Sequence, residues 1–177
     1  MKYTGKFLAY ILRHNASAAN IKLDENGWAD VNELIAGVCA TGRHLDFASL
    51  ENIVAKDGKQ RFSFNSDRTK IRANQGHSVA VNVQMKECPP PTVLYHGTAT
   101  KYLDSIRENG ISKQKRNYVH LSKDTETAFK VGARHGEVAI LVIDTQQMYL
   151  DGYKFLLSEN GVWQTDHVPF KYVIEIK

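Results

Sequence analysis

Cysteine is scarce in this 177-residue chain: Cys39 and Cys88 are the only two, and neither stands in a CxxC pair. This argues against a disulfide scaffold and a cysteine-rich zinc site, and points to a reducing, cytoplasmic setting. Long apolar runs are also missing, so no transmembrane helix is expected. The opening Met1-Lys2-Tyr3-Thr4-Gly5-Lys6 leads into an amphipathic stretch containing Arg13 and His14, with no small-residue cleavage site after it, so no signal peptide is expected. Neither GxGxxG nor GxxxxGK[ST] occurs, which leaves a Rossmann nucleotide site and a P-loop unsupported. No internal repeat or low-complexity segment is visible. Proline is rare, yet three of the four stand together at Pro89-Pro90-Pro91.

With 42% hydrophobic and 24% charged residues, the chain can bury a core and is not intrinsically disordered. The proline run is stiff and cannot donate backbone hydrogen bonds. It predicts a linker at 86–92 between lobes at 1–85 and 93–177, packed together with a cleft as the default site. Net charge is a mild +4. Residues 1–80 hold 11 Lys/Arg against 8 Asp/Glu, and residues 81–177 hold 12 against 11. The basic first half suits a polyanion, although a chance surplus on a solvated surface would look the same.

The expected fold class is α+β. In the first lobe, Phe7, Leu8, Ile11 and Leu12 fall on one helical face, and Asp30 caps a helix carrying Val31, Leu34, Ile35 and Val38. Leu45, Leu50, Ile53 and Val54 predict a third helix ending near Lys56-Asp57-Gly58. Short alternating runs over 61–65 and 69–73, joined by Asn65-Ser66-Asp67, predict a hairpin. Three helices and a hairpin are the layout of a winged helix. The second lobe predicts a strand Val93–His96 ending at Gly97, a helix capped by Thr100, a strand over 118–122, and a helix from Asp124 to Gly132. Strands over 138–143 and 172–176 complete it. The pattern suits packed antiparallel sheets.

Several residues invite a chemical reading, each beside a plainer one. Arg13-His14 at a helix end is either a cation pair on the dipole or an anion site with a bidentate fork and a proton donor. Arg61, Arg68 and Arg72 as a set suit a phosphate chain; singly, each suits the surface. The loop Arg72-Ala73-Asn74-Gln75-Gly76-His77-Ser78 is dense in donors, unlike a plain turn. In Tyr95-His96-Gly97-Thr98, the glycine lets backbone N–H groups approach a ligand, or simply ends a strand. His96 and His120 end neighbouring strands, but no third ligand is suitably spaced, so no metal is expected. Arg134 lies between Gly132 and Gly136, as anion ligand or helix C-cap.

The order of these pieces carries more than any one of them. Leu12-Arg13-His14, Lys59-Gln60-Arg61-Phe62, the Arg72–Ser78 heptapeptide, Tyr95-His96-Gly97-Thr98, Tyr118-Val119-His120-Leu121-Ser122, Ala133-Arg134-His135-Gly136 and Asn160-Gly161-Val162-Trp163 follow one another along the chain. Together they resemble the RNA 2′-phosphotransferase family, the tRNA 2′-phosphotransferases of tRNA splicing, over essentially the whole length. The His-Gly-Thr and His-Leu-Ser pieces are shared more loosely with NAD-dependent ADP-ribosyltransferases.

The resemblance implies a winged-helix RNA lobe and an ADP-ribosyltransferase-like NAD lobe, in a monomer acting on tRNA-like RNA with an internal 2′-phosphate. It implies that this phosphate attacks C1″ of the nicotinamide ribose of NAD, after which the ribose O2″ attacks phosphorus. The products are 2′-OH RNA, nicotinamide and ADP-ribose 1″,2″-cyclic phosphate. By the resemblance, Arg13, His14, Arg61 and Arg134 are catalytic; His96, Gly97, Thr98, His120, Ser122 and Val162 bind the dinucleotide. Arg72, Asn74, Gln75, His77 and Ser78 lie near the RNA or its phosphate. The anionic nucleophile needs positioning more than a base, and phosphoryl transfer without a metal needs arginine donors. Two other readings stand beside this one: a one-step ADP-ribosyltransferase acting on nucleic-acid phosphates, and a non-catalytic winged-helix binder.

Overall fold

The computed structural model describes residues 2–177, so Met1 of the opening segment lies outside the described residues. The chain divides into two compact units, residues 1–84 and 85–177. Both mix helices with small antiparallel sheets. The linker expected over 86–92 begins inside the second unit: Lys86–Glu87 form a strand, and the Cys88 amide bonds the Phe155 carbonyl at 3.1 Å.

In the first unit the elements run α1 (Lys2–Arg13), β1 (Trp28–Asp30), α2 (Val31–Ala40), α3 (Phe47–Ala55), β2 (Phe62–Phe64) and β3 (Lys70–Ala73), with a 3₁₀ turn at Ala16–Ala19. The helices start where their caps stand. The Asp30 carboxylate accepts from the Asn32 and Glu33 amides at 2.8 and 3.0 Å, and the Asp46 carboxylate from the Ser49 amide at 2.7 Å. The hairpin forms over the expected residues, with the Asn65 side chain accepting from the Lys70 amide. Strand β1, absent from the sequence reading, pairs Trp28, Ala29 and Asp30 with Arg72, Ile71 and Lys70, so the sheet order is β1-β3-β2. Leu8, Ile11, Leu12, Leu34, Val38, Leu50 and Ile71 are fully buried together. Each such aliphatic side chain contributes about 1.5–3 kcal/mol of burial energy.

In the second unit the order is β4 (Lys86–Glu87), β5 (Val93–Ala99), α4 (Leu103–Asn109), β6 (Ile111–Ser112), β7 (Val119–Leu121), α5 (Thr125–Gly132), β8 (Val138–Asp144), α6 (Thr145–Leu150), β9 (Leu156–Leu157), β10 (Trp163–Thr165), β11 (His167–Val168) and β12 (Val173–Ile176). The sheets are β12-β8-β5, β4-β9-β10-β7 and the pair β11-β6. An isolated bridge, Tyr95 to Ser122, joins β5 to the end of β7. Leu94, Leu141, Ile143, Met148 and Phe155 form the centre of its core.

Two expectations are corrected here. The strand from Val93 does not stop at Gly97 but pairs with β8 through to Ala99. Thr100 does not cap α4; it opens a 3₁₀ turn, and its hydroxyl donates to Glu137 at 3.2 Å. No helix among the described residues is long and apolar enough to cross a membrane.

Candidate functional site

Functional side chains gather in one cluster per unit. In the first unit, the loop after β3 does the gathering. Its Asn74 is buried, takes the Arg61 carbonyl through its amide at 2.8 Å, and donates from Nδ2 to the Gln60 carbonyl at 2.8 Å. Four residues on, the Ser78 amide donates to the Arg13 carbonyl at 3.0 Å, and the Ser78 hydroxyl meets His14 Nδ1 at 2.9 Å. One short loop thus ties the end of α1 to the segment entering β2, bringing Arg13-His14 and Arg61 to its two ends. Gly76, at φ +86°, makes the turn between these anchors, a conformation that favours glycine. Gln75 is half-buried beside it.

His77 sits in the middle, 3% exposed, with no hydrogen-bond partner for Nε2 among the described residues. Its pKa is pushed down to about 4, first by burial and then by the charges of Arg13, His14 and Arg72. The ring is therefore neutral at physiological pH, surrounded by cations. Such a concentration of positive charge suits an anion. Arg72 stacks over Trp28, its guanidinium carbon 4.4 Å from the ring centroid. Arg61 is aimed by Asp57, whose carboxylate takes its amide at 2.7 Å and its guanidinium at 2.5 Å. The three arginines do not form one set: Arg68 pairs with Glu51 on α3.

In the second unit, β5, β7 and the segment after α5 carry the cluster. His96 Nδ1 donates to the His120 carbonyl at 3.1 Å. Burial lowers the His96 pKa, the bond to that carbonyl raises it, and Arg116 and His135 lower it further. Arg116 donates from Nη1 to His120 Nδ1 at 3.0 Å. Its own pKa falls below the usual value through desolvation and then the charge of Arg134. Arg134 is exposed just beyond α5. Arg116, Arg134, His96, His120 and His135 thus form a second basic neighbourhood. Ser122 exchanges backbone bonds with Tyr95 at 2.8 and 2.9 Å. Val162 is half-buried, and its amide and carbonyl are both engaged by Ser158.

Gly97 and Thr98 have a packing reason for being where they are. A Cβ on Gly97 would lie 1.7 Å from the Ala128 carbonyl oxygen, and one on Gly132 would lie 2.7 Å from the Thr98 carbonyl oxygen. Two glycines let α5 lie directly on β5. Gly132 is a helical residue followed by Ala133 in the right-handed region, so no glycine C-cap forms there. Sequence reasoning missed Arg116, four residues before His120, and Asp57, four before Arg61. It also passed over Gln164, buried on β10 opposite His120. Among the described residues no group of three His, Cys, Asp or Glu side chains is placed to hold a metal.

Two basic clusters, one in each unit and the first built around the Asn74–Ser78 loop, suit anionic ligands. A family-wide sequence comparison matches residues 1–167 to the RNA 2′-phosphotransferase, Tpt1 / KptA family. A protein of Fusobacterium nucleatum named "Probable RNA 2′-phosphotransferase" is 54% identical over 96% of this chain and 95% of its own length. Proteins of the same name from Flavobacterium johnsoniae and Agrobacterium fabrum are 51% and 47% identical, over 97% and 96% of this chain and 94% and 91% of their own lengths. The chain belongs to the RNA 2′-phosphotransferase family.

Proposed function

We propose that the chain removes an internal 2′-phosphate from RNA by transferring it to NAD, which is consumed as a co-substrate. The observation that carries this reading is the Asn74–Ser78 loop, which holds Arg13, His14 and Arg61 around one basic neighbourhood. The first unit then serves as a winged-helix RNA module; its helix order and β1-β3-β2 sheet support that reading. The second serves as an ADP-ribosyltransferase-like module for the dinucleotide, consistent with its small antiparallel sheets bridged at Tyr95 and Ser122. The donors near its second sheet suit a pyrophosphate-bearing ligand: Arg116 and Arg134 supply charge, and the buried Gln164 amide nitrogen has no partner among the described residues.

In the reaction proposed, the 2′-phosphate attacks C1″ of the nicotinamide ribose and nicotinamide leaves as a neutral molecule, so no general acid is needed. The ribose O2″ then attacks phosphorus, releasing the RNA 2′-OH and ADP-ribose 1″,2″-cyclic phosphate. Arg13, Arg61 and Arg134 donate to the phosphate's non-bridging oxygens, where charge is concentrated. Arg61 arrives already aimed by Asp57. His14, oriented through Nδ1 by Ser78, contacts the phosphate or moves a proton at the ribose hydroxyl. Arg72, Asn74, Gln75, His77 and Ser78 line the RNA side. His96, Gly97, Thr98, His120, Ser122 and Val162 border the dinucleotide, Gly97 and Thr98 through the helix packing they permit.

The Arg61→Ala and Arg134→Ala variants test this against a pure binding module. Formation of 2′-OH RNA from a 2′-phosphorylated RNA, dependent on NAD, is expected to fall about 100-fold in each. A chain that binds the RNA with no dependence on NAD, and whose variants lose only affinity, would refute the enzyme reading.

A further inference from the structure

One face of α1 leads away from the first cluster. Lys6, Tyr10 and His14 stand on it at successive i, i+4 positions, and all three are exposed. Scattered exposed apolar side chains are ordinary. Tyr10 differs in being both placed and held. Its ring centroid lies 6.4 Å from that of His14 and 6.5 Å from that of Phe7, with tilted planes. Its hydroxyl accepts from Asn15 Nδ2 at 3.0 Å, and the Ser17 hydroxyl donates to Asn15 Oδ1 at 2.6 Å. The phenol is thus tethered by the turn that follows the helix, while the residue stays 44% exposed. An aromatic ring fixed in place yet uncovered is suited to receive another flat group.

Charge narrows what that group is. Helix α1 carries Lys2, Lys6 and Arg13 with no Asp or Glu, and the Arg43 guanidinium lies 3.8 Å over the Phe7 ring. Helix α3 has the reverse character, although the corresponding helix of a helix-turn-helix is the one that enters a nucleic-acid groove. Its Phe47–Ala55 sequence holds Glu51 and no Lys or Arg, and Glu51 is paired with Arg68. A cationic face bearing an aromatic ring is the makeup of a single-strand nucleic-acid platform, where phosphate attraction and base stacking add. On this unit α1 offers that face and α3 does not.

We propose that Tyr10 is the stacking platform for the base of the nucleotide whose 2′-phosphate is held at His14, and that the RNA strand continues along α1 towards Lys6. The inference rests on the proposed function for the phosphate at His14, and goes beyond it in placing the base and the adjoining strand. The 6.4 Å between the two rings is a span that one nucleotide bridges, its base on Tyr10 and its phosphate at His14. Stacking is tolerant of sequence because every base has a π-face, so any base is accepted at that position.

The test measures equilibrium binding of the full chain to two short RNAs, each with one internal 2′-phosphate. In one the phosphorylated nucleotide keeps its base; in the other it is abasic. Tyr10→Ala is expected to weaken binding of the base-bearing RNA by about 10-fold, the loss of one base–aromatic stack. Tyr10→Phe, which keeps the ring, is expected to retain most of the affinity. For the abasic RNA, the parent and Tyr10→Ala are expected to bind alike. A 2-aminopurine in place of the base is expected to lose fluorescence on binding the parent and to keep it on Tyr10→Ala. Unaltered affinity of Tyr10→Ala for the base-bearing RNA overturns the platform. An equal loss for both RNAs overturns it as well, since the effect would then not pass through the base. A parent that binds through Tyr10 with no preference for the 2′-phosphate leaves the platform standing and overturns the phosphotransferase reading instead. A parent that binds neither RNA overturns both.

Discussion

Gly97→Ala puts one methyl group where the fold has no room for it. The added Cβ would stand 1.7 Å from the Ala128 carbonyl oxygen, half the 3.4 Å at which ordinary contact begins, and 2.5 Å from the carbonyl carbon. Both atoms are backbone, so no side chain can swing aside, and α5 must lift from β5. Gly97 lies within the seven-residue β5–β8 ladder, so the strand cannot retreat without breaking its pairing. The cost belongs at the upper end of the roughly 1–3 kcal/mol that overpacking exacts, or beyond it. For a unit of this size each kcal/mol lowers Tm by roughly 4–8 °C, so a fall of about 10–20 °C is expected. Gly58→Ala is the control: a Cβ there meets nothing within 4 Å and the backbone is not left-handed, so stability should change by less than about 1 kcal/mol. Differential scanning calorimetry on the parent and both variants decides the matter. A Gly97→Ala protein melting within 2–3 °C of the parent, on the order of 0.5 kcal/mol by the same conversion, would refute the packing argument and return Gly97 to a ligand-facing role.

His77 binds its proton less readily folded, near pH 4, than in an unfolded chain near 6.5. Stability is therefore unaffected above pH 6.5 and falls as the pH drops towards 4, by about 2 kcal/mol at pH 5. Urea midpoints for the parent and His77→Gln at pH 7.5 and 5 should converge as pH falls; parallel pH slopes would contradict the assignment. Asn74→Ala removes the bond to the Gln60 carbonyl and should cost about 1–2 kcal/mol, with a fall in turnover as Arg61 loosens. Full activity and unchanged stability would show that the loop does not organise Arg61. In Arg134→Ala, a 2′-ADP-ribosylated RNA intermediate is expected to accumulate on a denaturing gel, because the second step has lost a donor to phosphorus. Unchanged turnover there would sink that role.

Long elements with explicit caps were legible in the chain. Asp30 and Asp124 mark the starts of α2 and α5, and their carboxylates accept the expected amides. Several elements of two or three residues were not: Trp28–Asp30 is too short for a two-residue period to register, and β4, β6, β9 and β11 are shorter still, whereas β2 and β7 showed because longer alternating or apolar runs flank them. Thr100 misled because a competent capping residue enters a 3₁₀ turn when the chain tightens before α4. At Gly97 the glycine was visible but its cause was not, since the helix that occupies the space follows some thirty residues later in the chain. For the site, the order of the Arg-His, loop, His and Arg motifs carried the family. The partners that orient those side chains lie in unpatterned sequence: Asp57 in a tight turn and Arg116 in the polar stretch Lys113–Arg116. Gln164 could be singled out only once the ladder put it opposite His120.

The central claim is tested most directly by incubating a short RNA carrying one internal 2′-phosphate with the chain, with and without NAD, and weighing the products. The account predicts loss of the phosphate only with NAD, alongside nicotinamide and ADP-ribose cyclic phosphate. A stable gain of one ADP-ribosyl mass without release would make the chain a one-step transferase, and unchanged RNA in the presence of NAD would contradict the account outright.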